Sequence, residues 1–364
     1  MKNTFGSALT VTLFGESHGT AIGAVIDGIA PGIAVDYDYI AKKMDQRRPY
    51  GAISTKRREA DEVEFLSGVF DGKTTGSPIC IMIKNTDTKS KDYSLLKTHP
   101  RPGHADYTAE MKYHGFQDYR GGGHFSGRIT APIVAAGAII SKALADKGIY
   151  IGTHISSLCD VSDRAFSDLK ADIESLDSAL FPVLDSSSAE KMTRAIEDAA
   201  RELDSVGGIL ETAVIGLPAG VGEPWFDSME SVLSHALFSV PGIKGVEFGE
   251  GFAISKMRGS EANDPFEMKD GRVVTSTNRN GGINGGITNG MPVIFRCAVK
   301  PTPSIYKEQK TVDIENMQDS TISVEGRHDP AIIHRARAVV DAVSAIAIAD
   351  MLTVRYGTDY LFKD

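Results

Sequence analysis

The sequence predicts an α+β protein with two long apolar helices lying between sheets, and three observations carry that reading. Residues 130–147 (TAPIVAAGAIISKALADK) and the run from Ile332 to about Leu352 are apolar on several sides, as expected of helices buried all round. Residues 8–14, 21–27, 208–216, 244–254 and 291–299 read as strands, rich in β-branched and alternating apolar positions. Arginine, proline and a long apolar helix follow one another near 121–147 and again near 327–352, which hints at a pseudo-two-fold core.

Composition narrows the class. The chain has 364 residues, 41% hydrophobic and 24% charged, which suits a soluble globular protein with a large core. A net charge of −9 argues against nucleic-acid binding, so any basic site must be local. Three scattered cysteines, Cys80, Cys159 and Cys297, fit neither a disulfide framework nor a metal cluster and point to a reducing, cytoplasmic setting. Gly6, Ser7, Thr10 and Thr12 interrupt the amino-terminal apolar stretch, so no signal peptide is expected. No run of about 18 apolar residues occurs, and no membrane span is expected.

In chain order, strand 8–14 runs into the turn Gly15-Glu16-Ser17-His18-Gly19, where flanking glycines let His18 project from a strand end. A helix follows from Asp36, with Ile40, Ala41 and Met44 on its apolar face and Pro49 closing it. Arg47 and Arg48 in its last turn complement the helix dipole. With Lys56, Arg57 and Arg58 they place five cations within twelve residues, which favours an anion site. Residues 67–74 resemble a phosphate-binding loop, but Ser67 stands where glycine is required, so the segment reads as a turn.

Residues 101–128 (RPGHADYTAEMKYHGFQDYRGGGHFSGR) combine Arg101, Arg120 and Arg128 with His104, His114, His124 and a triple glycine. Glycines admit a ligand close to backbone N–H groups, and arginines offer planar forks to phosphate or carboxylate, so an anionic ligand beside an acid or base is expected. Residues 160–204 hold twelve acidic and five basic residues, and Ser187 with Glu190 forms a capping box for a helix carrying Met192, Ile196, Ala199 and Leu203. This segment reads as a peripheral acidic excursion without chemistry. The glycine-rich 280–290 loop suits wrapping a flat or phosphorylated ligand, and residues 300–304 (KPTPS) offer a cation and two hydroxyls. Pro330 suits the first position of the last helix and Asp329 its N-cap.

Taken together, GESHG at 15–19, RPGHAD at 101–106, DYRGGG at 118–123, SGR at 126–128, GGINGGI at 281–287, KPTPS at 300–304 and GRHDP at 326–330 closely resemble the chorismate synthase family. The resemblance spans nearly the whole chain. It implies one domain over 1–364, with the excursion at about 155–206, a β-α-β sandwich of antiparallel sheets, and a homotetramer. It further implies a lyase of aromatic amino acid biosynthesis that eliminates phosphate and a ring proton from 5-enolpyruvylshikimate 3-phosphate to give chorismate. Reduced FMN is the implied cofactor, and NADPH is a candidate reductant.

The resemblance also implies roles. His18 matches the histidine that protonates the leaving phosphate, and His104 the one that protonates or stabilises reduced flavin. Asp329, beside Arg327, matches the group acting at flavin N5. Ser17, Arg48, Arg101, Arg128 and Arg327 match substrate contacts. His124, Phe125, Ser126, Pro241, Gly242, Gly285, Lys300, Pro301, Thr302, Pro303, Ser304 and Arg327 fall where the family contacts FMN. His124, Phe125 and Pro241 depart from the commoner residues, leaving backbone contacts there. An arginine common after Arg48 is missing, with Lys56 or Arg57 as substitutes. The rival reading is a flavin- or nucleotide-binding protein without turnover; a phosphotransferase is disfavoured by the failed phosphate loop.

Overall fold

The computed structural model describes residues 2–51, 53–54, 60–86, 95–324 and 328–362. Two five-stranded antiparallel sheets enclose a layer of helices. The first sheet has the spatial order Thr4–Phe5, Thr10–Gly15, Ala21–Asp27, Ile79–Lys84, Glu64–Ser67. Ile79, Ile81 and Ile83 pair with Ile26, Ala24 and Ile22, so one face presents rows of fully buried aliphatic side chains to the helices. The second sheet runs Ile243–Phe248, Val293–Val299, Gly208–Ile215, Tyr150–Leu158, Val161–Ser162, with Val293, Phe295, Cys297 and Val299 alternating into the core.

Helix Thr130–Asp146 lies against the first sheet and helix Ile333–Tyr356 against the second, and the two helices pack on each other. At their crossing a Cβ on Gly137 would overlap the Cβ of Ala342, so glycine sets the interhelical distance. The stretch within Arg120–Asp146 that is long and apolar enough to cross a membrane is mostly buried inside the protein. The two acids that interrupt the last helix are buried and partnered. Asp350 accepts from the backbone N–H groups of Ser7, Ala8 and Leu9 at 2.7–3.0 Å, fastening the amino-terminal turn to the core. Asp341 accepts from Thr153 Oγ1 at 2.6 Å and from Arg337 at 3.2 Å.

Several elements differ from the sequence reading. Asp36 does cap helix Tyr37–Arg47, accepting from Tyr39 N at 2.9 Å, but the buried face is Ile40, Lys43, Met44 and Arg47, while Ala41 is exposed. Lys43 reaches inward because Asp177 meets its ammonium at 2.7 Å. Residues 67–74 are not a simple turn: strand Glu64–Ser67 leads into a small hairpin of Val69–Phe70 and Lys73–Thr74. Strands Ile79–Lys84 and Tyr150–Leu158 and helix Asp106–Tyr113 were not expected. In the second of these strands, polar Thr153 and His154 obscure the pattern, yet both are fully buried with hydrogen-bond partners.

The 243–248 strand stops short of residue 254 and gives way to a 3-10 turn, Gly251–Lys256. Asp185, not Ser187, caps helix Ser186–Arg201, and Leu203 lies beyond that helix, half exposed. The acidic segment is anchored in the core: Met192 and Ile196 are fully buried, and the Leu176 and Ala179 carbonyls accept from Arg337 at 2.8 and 2.6 Å. The last helix begins at Ile333 rather than Pro330 and has no side-chain cap. The Pro330 carbonyl is taken by Val206 N at 2.8 Å, and Asp329 pairs instead with Arg335.

Candidate active site

A cavity of about 890 Å³ opens between the helix layer and the loops above it. One wall is apolar: Ala336, Val339, Val343 and Ile346 recur at helical spacing along one face of the last helix, facing Ile133, Val11 and Leu13. The rest is cationic. Lys2, Arg47, Arg128, Lys244, Lys300 and Arg335 line it against two carboxylates, Asp61 and Asp329. In a chain of net charge −9 this concentrates positive potential at one place.

Two arginines share one buried carboxylate. Arg47 Nη2 donates to Asp61 Oδ2 at 3.0 Å and Arg128 Nη1 to Asp61 Oδ1 at 2.6 Å. Burial alone would raise the Asp61 pKa, but the two guanidiniums hold it below the ordinary value. Burial lowers Arg47 to about 10, opposed by Asp61, so the group is still charged at neutral pH. Asp61 sits in the left-handed region, φ 46°, where a non-glycine residue is strained, consistent with a backbone held for function. Arg335 forms a second clamp, donating from Nη1 to Asp329 at 2.6 Å and from Nε to the Arg47 carbonyl at 2.8 Å.

His104 belongs to a partly buried triad with Asp106 and Arg101. Its Nδ1 lies 2.7 Å from Asp106 Oδ1, while Arg101 gives Asp106 bonds from Nε and Nη2, both at 2.8 Å. Arg101 Nη2 also lies 3.0 Å from His104 Nδ1, but a carboxylate at 2.7 Å requires a proton on that nitrogen. The two nitrogens are therefore donors side by side on one oxygen. Burial would raise Asp106, yet the hydrogen bonds from Arg101 and His104 overcome it and hold the carboxyl well below its usual range. Arg101 Nη1 donates to Ser304 Oγ at 3.0 Å and Lys300 Nζ to the Gly103 carbonyl, tying residues 101–106 to residues 300–304. His124 donates from Nδ1 to the Gly15 carbonyl at 2.7 Å.

The triple glycine has a structural cause. All three residues have positive φ. A Cβ on Gly121 would overlap the His18 ring, and one on Gly122 would stand 3.2 Å from His104 Cε1. Two imidazoles therefore press on adjacent peptide units of one loop, which only glycine permits.

The structure brings His104, residues 124–126, Arg128, Pro241, Gly242, residues 300–304 and Asp329 to the cavity wall. It places five expected residues off that wall. Ser17 and His18 are buried beside the glycine loop, with Ser17 N donating to the Gly123 carbonyl at 3.0 Å. Arg48 turns away to Asp45 and the Ala60 carbonyl, because its neighbour Arg47 occupies the inward face of the helix. Gly285 sits in the turn of the Ile283–Asn284 and Ile287–Thr288 hairpin, which is hydrogen-bonded to residues 220–229 instead. Arg101 supports His104 from behind. Arg327, Lys56 and Arg57 lie outside the described residues. Asp61 and Arg335 were not singled out as site residues, and Arg47 only as one of the five clustered cations. No sequence spacing marks Asp61 or Arg335 as a site residue, since Asp329 and Arg335 are six residues apart and match no helical pairing period.

Apolar wall, cationic rim and carboxylate-anchored imidazole together define a small-molecule enzyme site on a β-α-β sandwich. Comparison with known proteins is specific. The family model described as chorismate synthase matches residues 9–353, and the chain belongs to that family. Chorismate synthase of Pyrococcus abyssi (strain GE5 / Orsay) is 47% identical over 350 residues, covering 96% of this chain and 97% of that protein. The Aeropyrum pernix enzyme of the same name is 46% identical over 355 residues, covering 97% and 93%. A structure titled "Crystal Structure of Chorismate Synthase" superposes with a TM-score of 0.76 at 28% identity, covering 98% of this chain and 94% of that one.

Proposed function

We propose that this chain is a carbon–oxygen lyase that converts 5-enolpyruvylshikimate 3-phosphate to chorismate by 1,4-anti elimination of phosphate and a ring proton, in the cytoplasm and as a homotetramer. The observation that carries the reading is the single cavity in which paired arginines on Asp61 face an apolar helix wall. Guanidinium forks suit the substrate's phosphate and carboxylates, and the aliphatic wall suits the apolar face of its unsaturated ring.

The same wall and residues 300–304 fit reduced FMN. Thr302 has a buried hydroxyl without a hydrogen-bond partner and Arg47 a buried Nε without one, so the lining retains unspent donors. Residues 124–126, Pro241, Gly242 and residues 300–304 would hold it, and when bound it supplies electron density lent to the substrate and recovered. Among the protein's own groups, His104 presents Nε2 as a proton carrier, its Nδ1 being committed to Asp106. Asp329 takes up a proton within the cavity, kept oriented by Arg335. His18 protonates the departing phosphate, approached from the glycine-loop side.

The test is release of inorganic phosphate, with chorismate, from that substrate by protein and reduced FMN under anaerobic conditions. Binding without release would leave only a flavin- or nucleotide-binding protein. His18→Ala and His104→Ala should each lower turnover by about 10²-fold or more, as expected for lost general acid catalysis. Aerobic turnover driven by NADPH alone tests whether the chain reduces its own flavin.

A further inference from the structure

Asn85, the residue after strand Ile79–Lys84, stands between the two halves of the proposed machinery. Its Oδ1 accepts from Arg128 Nε at 2.5 Å. Its Nδ2 donates to the carbonyls of Glu16 and Gly19, at 2.9 and 2.7 Å, which bracket His18 in the chain. The amide orientation follows from chemistry: Arg128 Nε can only donate and the two carbonyls can only accept. The Asn85 backbone N–H closes the arrangement on the Thr20 carbonyl at 3.1 Å. Arg128 in turn is fastened by Asp61 and by the Lys84 carbonyl at 3.2 Å.

We propose that Asn85 is a positioning residue that locks the turn bearing His18 to the Arg128 clamp, so that the acid and the anion it serves keep one register. Only an amide does this, because one end must accept from a guanidinium while the other donates to two carbonyls. The inference rests on the proposed role of His18.

Asn85→Asp keeps an acceptor for Arg128 but turns an oxygen toward the Glu16 and Gly19 carbonyls, releasing the turn alone. Asn85→Leu removes both links. For Asn85→Asp the expected result is a turnover number lower by about tenfold or more with KM within about threefold of the parent, since small misplacement of a catalytic group is costly. Asn85→Leu should lower turnover and raise KM together. In Asn85→Asp the imidazole resonances of His18, assigned with His18→Ala, should also shift.

Parental turnover and unmoved His18 resonances in Asn85→Asp would overturn the proposal, as would identical kcat and KM effects in the two variants. If His18→Ala itself keeps the parental rate, the reading of His18 has failed. The resonance shift then tests the link on its own. Should Asn85→Asp not accumulate as folded protein, Asn85→Ser also removes the donors to the turn, and parental turnover in that variant would overturn the proposal equally.

Discussion

Nδ1 of His104 is bound to Asp106 Oδ1 at 2.7 Å, and this contact fixes which imidazole nitrogen can exchange a proton with the cavity. Asp106→Asn should lower turnover by about tenfold or more, because an amide does not enforce the Nδ1–H tautomer. The same change leaves buried Arg101 without its carboxylate and should cost about 3 kcal/mol of stability, measured by urea unfolding. The Asp106 pKa is depressed in the folded protein, so its contribution is present above the unfolded value of about 3.9 and lost as pH falls through the folded value. The gap between parent and variant should therefore close only in strong acid.

Neighbouring arginines are predicted to behave differently. Arg47 lines the cavity on Asp61, whereas Arg48 faces Asp45 and the Ala60 carbonyl. Arg47→Ala should raise KM for the substrate by about tenfold or more, the loss of a charge-assisted hydrogen bond. Arg48→Ala should stay within about threefold of the parent, as for a partly exposed ion pair. Steady-state kinetics of the two variants side by side decide the matter, and equal effects would refute this assignment.

Gly137→Ala should destabilise the protein by about 1–3 kcal/mol, since the new methyl group would overlap Ala342 in the helix crossing. Adding Ala342→Gly should restore part of the loss. Thermal unfolding of the single and double variants measures both effects.

Two buried histidines should pull stability in opposite directions with pH. Burial lowers His334 to about 3, aided by Arg335, and Ser54 Oγ lies 2.9 Å from its Nε2. The unfolded chain takes up that proton near pH 6.5, so stability is lost as pH falls from about 6.5 toward 3, by up to about 1.4 kcal/mol per pH unit. Burial lowers His154 as well, but Asp163 at 2.9 Å and Glu211 at 3.1 Å overcome that and raise it. Its contribution is present below the unfolded value and lost as pH rises through the folded one. His334→Gln should flatten the acid side of the stability profile and His154→Gln the neutral-to-alkaline side, both read from unfolding midpoints against pH.

What the sequence determined by itself was whatever local pattern encodes: the two apolar helices, the strands with clean alternation, the glycine runs, and the motifs that mark the family. The 130–147 helix needed only its own composition, because a helix apolar on all sides has nowhere to lie but the interior. Tertiary structure alone decided which of Arg47 and Arg48 faces inward, since both suit a helix end and the choice depends on Asp61 reaching the same spot from another segment. It likewise decided that Asp329 pairs with Arg335 instead of capping a helix, that Gly121 and Gly122 make room for imidazoles, and that Asn85 joins two loops. All but the Asp329–Arg335 pair are contacts between residues distant in the chain, and that pair joins a loop to the helix after it at a separation no helical period brings together. Local propensity is blind to such contacts, because their energy exists only after the layers have packed.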